Sequence, residues 1–383
     1  MNPELSNFAT RLRGLMADFQ SPISNRQFSN LALELFALQF KQNPAYQKIC
    51  VTRNLTPETV KDWTQIPAVP TRAFKELELT SIPPQARTAV FHSSGTTEQK
   101  PSRHFHCAES LAVYEASLWQ WFAAHFQFPI SNFQSQAGAA DGLSKLAIGS
   151  WRLAILTPPP EQAPHSSLVH MFETARQQFG GGASVPASQP EFLGKLDSDG
   201  AWTLDFGATL AALAENSKLK TQNPKLLLGT AFSFVHLLDY LTERDLRVEL
   251  TPGSCVMETG GYKNRSRILP KAELHALITE RLGVPRENII CEYGMSELSS
   301  QAYASSAGAF HFPPWARVQI ISPETGREVG EGETGLIRIF DLANIFSVAA
   351  IQTEDLGVRR GDGFELIGCA QLAEPRGCSL MAA

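Results

Sequence analysis

Residues 225–246 read KLLLGTAFSFVHLLDYLTERDL. The first part, KLLLGTAFSF, is an apolar strand-like run, and VHLLDYLTERDL carries its apolar residues at helical spacing. The same alternation extends in both directions. KLAIGSWRLAILTPP (145–159) and SLVHMFETARQQF (167–179) come before it; a helix over Lys271 to Leu282 and the strand-like ENIICEYG (287–294) come after. Strands alternating with helices predict an α/β architecture. Composition makes TPPPEQAPHSS (157–167) and FGGGASVPASQPEF (179–192) loops, the second read as a mobile cover.

Towards the N-terminus, apolar residues recur at helical spacing (Leu12, Leu15, Met16, then Leu31, Leu33, Leu35, Phe36, Leu38), with Ser21-Pro22 between two helices. Prolines 57, 67, 70, 83 and 84 then break the pattern. Beyond His311 come short strand-like pieces separated by turns, a small β-rich lobe. Three regions are therefore expected: a helical segment over 1–88, an α/β core over 89–310, and the β-rich lobe with a tail over 311–383.

The 383 residues, 43% hydrophobic and 19% charged, are enough for a deep core and exclude a disordered tail. With 33 Lys+Arg against 38 Asp+Glu there is no basic field to hold a nucleic-acid backbone, so no nucleic-acid partner is expected. Six cysteines without a C-x-x-C pattern point to reduced thiols and a cytoplasmic setting. The opening MNPELSNFATRLRGLM lacks an uninterrupted apolar region, so no signal peptide is expected. The apolar stretch from Ser110 is interrupted by Glu115, Gln120 and His125, and no membrane span is expected. It is instead a core-facing helix with Leu111, Tyr114, Leu118, Trp121 and Phe122 on one face. His104 and His106 fall on one face of a strand and read as ordinary sheet positions, with no structural metal expected.

Three constellations carry chemistry. In the first, the strand AVFH ends in Ser93-Ser94-Gly95-Thr96-Thr97-Glu98-Gln99-Lys100-Pro101-Ser102. Gly95 allows successive N–H groups to converge, and the hydroxyls add donors, which suits phosphate oxygens as well as it suits a plain polar turn. The second is Cys291-Glu292-Tyr293-Gly294-Met295-Ser296-Glu297-Leu298, read as strand, loop, then helix, with an aromatic ring, a hydroxyl and a carboxylate close together. A ring can stack on a base and a carboxylate beside phosphates can hold Mg²⁺; Ser296 as a helix cap is the alternative. The third is Thr353-Glu354-Asp355-Leu356-Gly357, whose aspartate is able to accept both hydroxyls of a ribose, or simply to start a turn.

Taken together and in this order, the three resemble the adenylate-forming superfamily of acyl- and aryl-CoA ligases, peptide-synthetase adenylation domains and luciferases. The resemblance implies that family's N-terminal-domain fold, stacked α/β subdomains plus a small β-rich lobe, with ATP and Mg²⁺ as cofactors. It implies that Ser93, Ser94, Gly95, Thr96 and Thr97 hold the β,γ-phosphates, Tyr293 with Gly294 meets the adenine, and Ser296 touches the α-phosphate or the substrate carboxylate. Glu297 would hold the metal, Asp355 the ribose, and Gly260 and Gly261 would line the adenine. Phe232, Ser233, Phe234 and His236 lie where relatives line the carboxylate pocket, core packing being the equal alternative. The sequence departs from the family at Glu98, where glycine is usual, and at Ser102, where many have lysine, which leaves Lys100 or Arg103 as the counter-charge. It also ends at Ala383, soon after Asp355, so the usual C-terminal lid is expected to be lacking.

Within the superfamily the chain resembles the short acyl-protein synthetases of the LuxE type, nearly end to end, in SSGTTEQKPS (93–102), EYGMSEL (292–298), TEDLG (353–357) and RGCSL (376–380). That resemblance implies a ligase that adenylates a carboxylic acid, a fatty acid above all, and moves the acyl group to its own Cys378 and then to a partner such as an acyl reductase. Cys378 lies beside Arg376, which favours the thiolate, and Glu374, which opposes it; Cys369 is the rival nucleophile. Two other readings stay open: a stand-alone ligase passing acyl-AMP to a free small-molecule acceptor, and a catalytically silent homologue.

Overall fold

A computed structural model describes residues 2–18, 23–93, 100–126, 151–180, 191–198, 200–214, 223–260, 267–305 and 308–369. In chain order, α1 (Pro3–Ala17), α2 (Asn25–Gln42) and α3 (Pro44–Thr52) lead into β1 (Val69–Pro70) and α4 (Ala73–Glu76). A hairpin of β2 (Ala89–His92) and β3 (Arg103–His106) brackets the Gly/Ser/Thr loop and runs into α5 (Ala108–His125). There follow β4 (Arg152–Ile155), α6 (Ser167–Gly180), β5 (Glu191–Phe192), the β6 (Gly194–Leu196)–β7 (Trp202–Leu204) hairpin, and α7 (Phe206–Ala214). Then come β8 (Lys225–Thr230), α8 (Ala231–Glu243), β9 (Cys255–Thr259), α9 (Lys271–Leu282), β10 (Ile289–Tyr293) and β11 (Ala302–Ser305). The chain closes with β12 (Ala316–Ile321), β13 (Thr334–Asp341), β14 (Ala350–Arg360) and β15 (Gly363–Cys369).

The stretch that opened the sequence reading is the centre of a six-stranded sheet ordered β11-β10-β9-β8-β4-β5. All six residues of β8 are buried, as a parallel strand covered on both faces requires. β4, β5, β8, β9 and β10 are parallel, and β11 adds an antiparallel edge. The strand is shorter than the apolar run predicts: the helix begins at Ala231, because Thr230 and Ser233 cap it reciprocally. α8 and α9 cover one face with Phe234, Leu237, Leu238, Leu241, Leu274 and Ile278, and α5 and α6 cover the other with Tyr114, Leu118, Phe122 and Phe172. The chain leaves β4 in both directions across this sheet, to β5 on one side and β8 on the other, and ligands of such sheets bind at the carboxyl ends of the strands.

The second sheet, β1-β14-β13-β12 with β15 also on β14, is the β-rich lobe. Its core is continuous with that of the N-terminal helices: Phe8, Leu12, Phe28, Leu35, Phe36, Ile337, Phe340 and Ile351 belong to one cluster. Buried polar side chains of α2 and of its C-cap Asn43 add specific ties. Gln39 Nε2 donates to the Asn344 carbonyl at 2.8 Å, its Oε1 accepts from Ala349 N–H at 3.0 Å, and Asn43 Nδ2 donates to the Ser347 carbonyl at 3.3 Å. These bonds fix the connection from β13 to β14.

Candidate active site

The carboxyl end of β10 is tied to the described base of the loop between β2 and β3 on one side and to the middle of β14 on the other. Ser93 Oγ accepts the N–H of Ser102 at 3.0 Å, closing the base of the Gly/Ser/Thr loop. Ser102 Oγ lies 3.3 Å from Ser296 Oγ, and Ser296 Oγ donates to Glu297 Oε2 at 3.0 Å. His104, on β3, is held at 2.8 Å from the Ser296 carbonyl through Nδ1. Burial pushes the His104 pKa down to about 4, so the ring is neutral and Nδ1–H donates. Tyr293 Oη donates to Asp355 Oδ2 at 2.8 Å, joining β10 to β14. Two hydrogen-bonded groups result, Ser93–Ser102–Ser296–Glu297 and Tyr293–Asp355, joined by the short backbone stretch from Tyr293 to Ser296. Ser94, Gly95, Thr96, Thr97, Gly261 and Cys378 lie outside the described residues.

The electrostatics follow from burial. Glu297 is 5% exposed; burial raises its carboxyl, while the Ser102 and Ser296 hydroxyls and the charge of Lys75 act in the opposite direction. Burial likewise raises Asp355, with the Tyr293 hydroxyl opposing, and keeps Tyr293 a phenol that can donate. The Tyr293 ring is enclosed by Phe310, Phe312 and Phe364 at centroid distances of 6.0, 6.4 and 5.2 Å. Gly260, after β9, has φ +70° and nothing within 4 Å of where a Cβ would lie, an open and glycine-favouring position beside this set. Lys100 is turned elsewhere, its Nζ 3.6 Å from Glu76, and Arg103 is 3.6 Å from Glu78.

The helix expected after Met295 is absent. A turn leads from Glu297 into β11 instead. The reason is Asp341, at the end of β13 and fully buried, whose carboxylate accepts the N–H groups of Ser299 at 2.9 Å and Ser300 at 2.8 Å and the Ser300 hydroxyl at 2.7 Å. Donors that a helix would have carried are taken by the β-rich lobe. Asn344 continues the clamp, donating through Nδ2 to the Glu297 carbonyl at 2.8 Å and accepting from Ser299 Oγ at 2.6 Å. No motif spacing announces Asp341 or Asn344, because both act across more than forty positions of sequence. Asp341→Ala leaves buried N–H groups without a partner and is expected to lower stability by about 3 kcal/mol, read as an earlier urea unfolding midpoint.

Sequence reasoning also missed a second group. Glu258 on β9 and Cys291 on β10 are register partners, and His275 of α9 lies against them, with Nε2 3.4 Å from Glu258 Oε1 and 3.9 Å from Cys291 Sγ. The three ligand atoms lie within 4.8 Å of one another, and carboxylate, imidazole and thiol together suit a zinc-like cation. Burial, then the Glu258 charge, pushes the Cys291 thiol up to about 12, and Lys271 partly offsets this. The group is therefore already charge-compensated by a lysine. On the opposite face, Glu292 is pushed up to about 7 by burial, against the hydrogen bond it accepts from Thr259. Of the residues read at the carboxylate pocket, Phe234 belongs to the core and the Ser233 hydroxyl is engaged by Thr230.

The family model described as "Acyl-protein synthetase, LuxE" matches residues 187–383. A curated relative, the long-chain-fatty-acid–luciferin-component ligase of Aliivibrio fischeri, is 22% identical over 370 residues, covering 92% of this chain and 87% of that protein. The protein of the same name from Vibrio harveyi is 21% identical over 187 residues, covering 46% of this chain and 49% of the relative. Among solved structures, a 2-hydroxyisobutyryl-CoA ligase in complex with 2-HIB-AMP superposes with a TM-score of 0.59 at 13% identity, covering 91% of this chain and 68% of that one. At that identity the likeness is one of fold, and the fold is that of the adenylate-forming enzymes. The family model spans more than half of the sequence: this chain belongs to the LuxE family of acyl-protein synthetases and is a ligase.

Proposed function

We propose that the chain uses ATP to activate a fatty acid as acyl-AMP, carries the acyl group on Cys378, and delivers it to a partner protein such as an acyl reductase. The observation that supports this best is that the segment Tyr293–Glu297 is tied at one end to Asp355, through Tyr293, and at the other to Ser102 and Ser93, through Ser296, so that three stretches distant in sequence are held together. The names of the curated relatives supply the acid class.

In the first step an oxygen of the substrate carboxylate forms a bond to the α-phosphorus of ATP while the bond to the pyrophosphate oxygen breaks. Pyrophosphate leaves with that electron pair. Asp355, steadied by the Tyr293 hydroxyl, meets the ribose, and the serine loop meets the phosphates. The hard oxygen donors of Glu297, Ser102 and Ser296 fit a magnesium ion, whose charge would offset that building on the phosphates. Glu297 would hold it; Ser296, fixed by His104 at its carbonyl, keeps its hydroxyl directed at the same place. In the second step the Cys378 thiolate attacks the acyl carbon, the thioester forms, and AMP leaves with the electrons of the acyl–oxygen bond.

A cytoplasmic setting accords with the unpaired state of Cys50, Cys107, Cys255 and Cys291 among the described residues. No described helix is long and apolar enough to cross a membrane. The test is exchange of labelled pyrophosphate into ATP across acids of different length and aromaticity. Exchange that depends on long-chain acids is expected, and none with any acid would overturn the reading.

A further inference from the structure

Glu258 and Cys291 face each other as register partners on the parallel strands β9 and β10, so their side chains leave the sheet on the same face. His275 comes down on them from α9. Its Nε2 is 3.4 Å from Glu258 Oε1 and 3.9 Å from Cys291 Sγ, and the three ligand atoms lie within 4.8 Å of one another. A tetrahedral zinc ion, with bonds of about 2.0–2.3 Å, spaces a nitrogen and an oxygen ligand about 3.3 Å apart and a nitrogen and a sulfur about 3.6 Å apart. Both separations about His275 are within a few tenths of an ångström of these. All three side chains are buried. The other ring nitrogen of His275, Nδ1, is buried without a hydrogen-bond partner, so among the described residues the polar contacts of the ring run through Nε2 into this group. No C-x-x-C spacing announces the arrangement, because His275 stands 17 positions from Glu258 and 16 from Cys291.

We propose that Glu258, His275 and Cys291 form a binding site for a zinc-class divalent cation that ties α9 to β9 and β10. Thiolate and imidazole donors select such an ion over Mg²⁺ or Ca²⁺, which separates this site from the oxygen donors around Glu297. On binding, a Glu258 oxygen, His275 Nε2 and Cys291 Sγ each form a bond to the ion, water molecules leave it, and the thiol proton passes to solvent. Two negative donors then match the two charges of the ion. Lys271, exposed and one turn before His275 on α9, is released from its place as counter-charge, and its flexible stem lets the ammonium turn to water. The Glu258 side chain keeps 10% exposure against 0% for His275, so the ion enters from the Glu258 side. Three protein ligands leave a fourth position for water. Glu258 stands two residues before Gly260, and Cys291 two before Tyr293, so the ion pins the roots of both loops.

Titration of the chelator-stripped full-length chain with Co²⁺ reads the site directly, because a thiolate–cobalt bond absorbs in the near ultraviolet and a tetrahedral ion gives intense visible bands. Both signals are expected in the wild type, with or without excess Mg²⁺, and Zn²⁺ is expected to bleach them. In Cys291→Ser the thiolate band is expected to vanish, and in Glu258→Gln and His275→Gln zinc affinity is expected to fall ten-fold or more. Cys255→Ser removes a thiol at the start of β9, outside the group, and is expected to leave the signals unchanged. A wild type without the thiolate band would overturn the proposal, as would a band that persists in Cys291→Ser. Should Cys291→Ser fail to fold, Glu258→Gln decides: undiminished zinc affinity there is equally fatal. Zinc is also expected to raise the urea unfolding midpoint of the wild type and not that of His275→Gln, and an equal rise in both would put the ion elsewhere.

Discussion

Glu297→Ala is expected to lower acid-dependent pyrophosphate exchange by roughly 10²-fold or more, the scale on which a single group that stabilises transition-state charge acts. The geometry concentrates its surroundings on this one carboxylate. It sits 5% exposed at the junction of the Ser93–Ser102 loop base and the Tyr293–Ser296 loop, with hydroxyls of both within hydrogen-bond reach. Burial raises its carboxyl, so the fold disfavours the charged form at this position. Such a group is costly to keep for stability alone, and the alanine protein is expected to unfold within about 1 kcal/mol of the wild type. The loop itself is retained by contacts that do not involve the side chain, from Asn344 to the Glu297 carbonyl and from Asp341 to Ser299 and Ser300. A loss of exchange with an unchanged urea midpoint is the expected pair of results. Unchanged exchange would remove Glu297 from the metal and phosphate chemistry, whatever the fate of the remaining assignments.

How much of this was legible beforehand depends on the range over which each contact acts. β8 and the extent of α9 follow from periodicity, because burial on both faces of a parallel strand or on one stripe of a helix leaves a local pattern. Ser296, Glu297 and Tyr293 stand in a short motif because a strand-to-loop transition concentrates hydroxyls and carboxylates, whereas Asp355, expected at a strand end, lies within β14. The hydrogen bond between Tyr293 and Asp355 was not legible: a phenol and an aspartate 62 positions apart carry no mark of being partners. Asp341 shows the limit from the other side. Locally, Ser296-Glu297-Leu298 reads as a helix start, and only a carboxylate from another sheet, accepting the Ser299 and Ser300 N–H groups, makes the turn into β11 the better solution.

The second large effect concerns the acyl carrier. Cys378→Ser is expected to abolish hydroxylamine-sensitive labelling of the protein by radioactive fatty acid in the presence of ATP, while leaving pyrophosphate exchange close to the wild-type rate. The two readouts separate because activation ends when pyrophosphate leaves, before any thiol is needed. A thiolate attacking a mixed anhydride requires little further activation: AMP is a good leaving group, and sulfur is intrinsically nucleophilic even when only a small fraction is ionised. Arg376 increases that fraction and Glu374 reduces it, so Glu374→Gln is expected to speed labelling modestly. The rival thiol ends β15, which is paired with β14 opposite Asp355 itself. That pairing holds the Cys369 backbone in register with Asp355. Cys369→Ser is therefore expected to leave labelling intact. Label that persists in Cys378→Ser but disappears in Cys369→Ser would move the carrier to the strand end. Exchange without stable label in the wild type would instead favour a ligase that hands its acyl-AMP to a free acceptor.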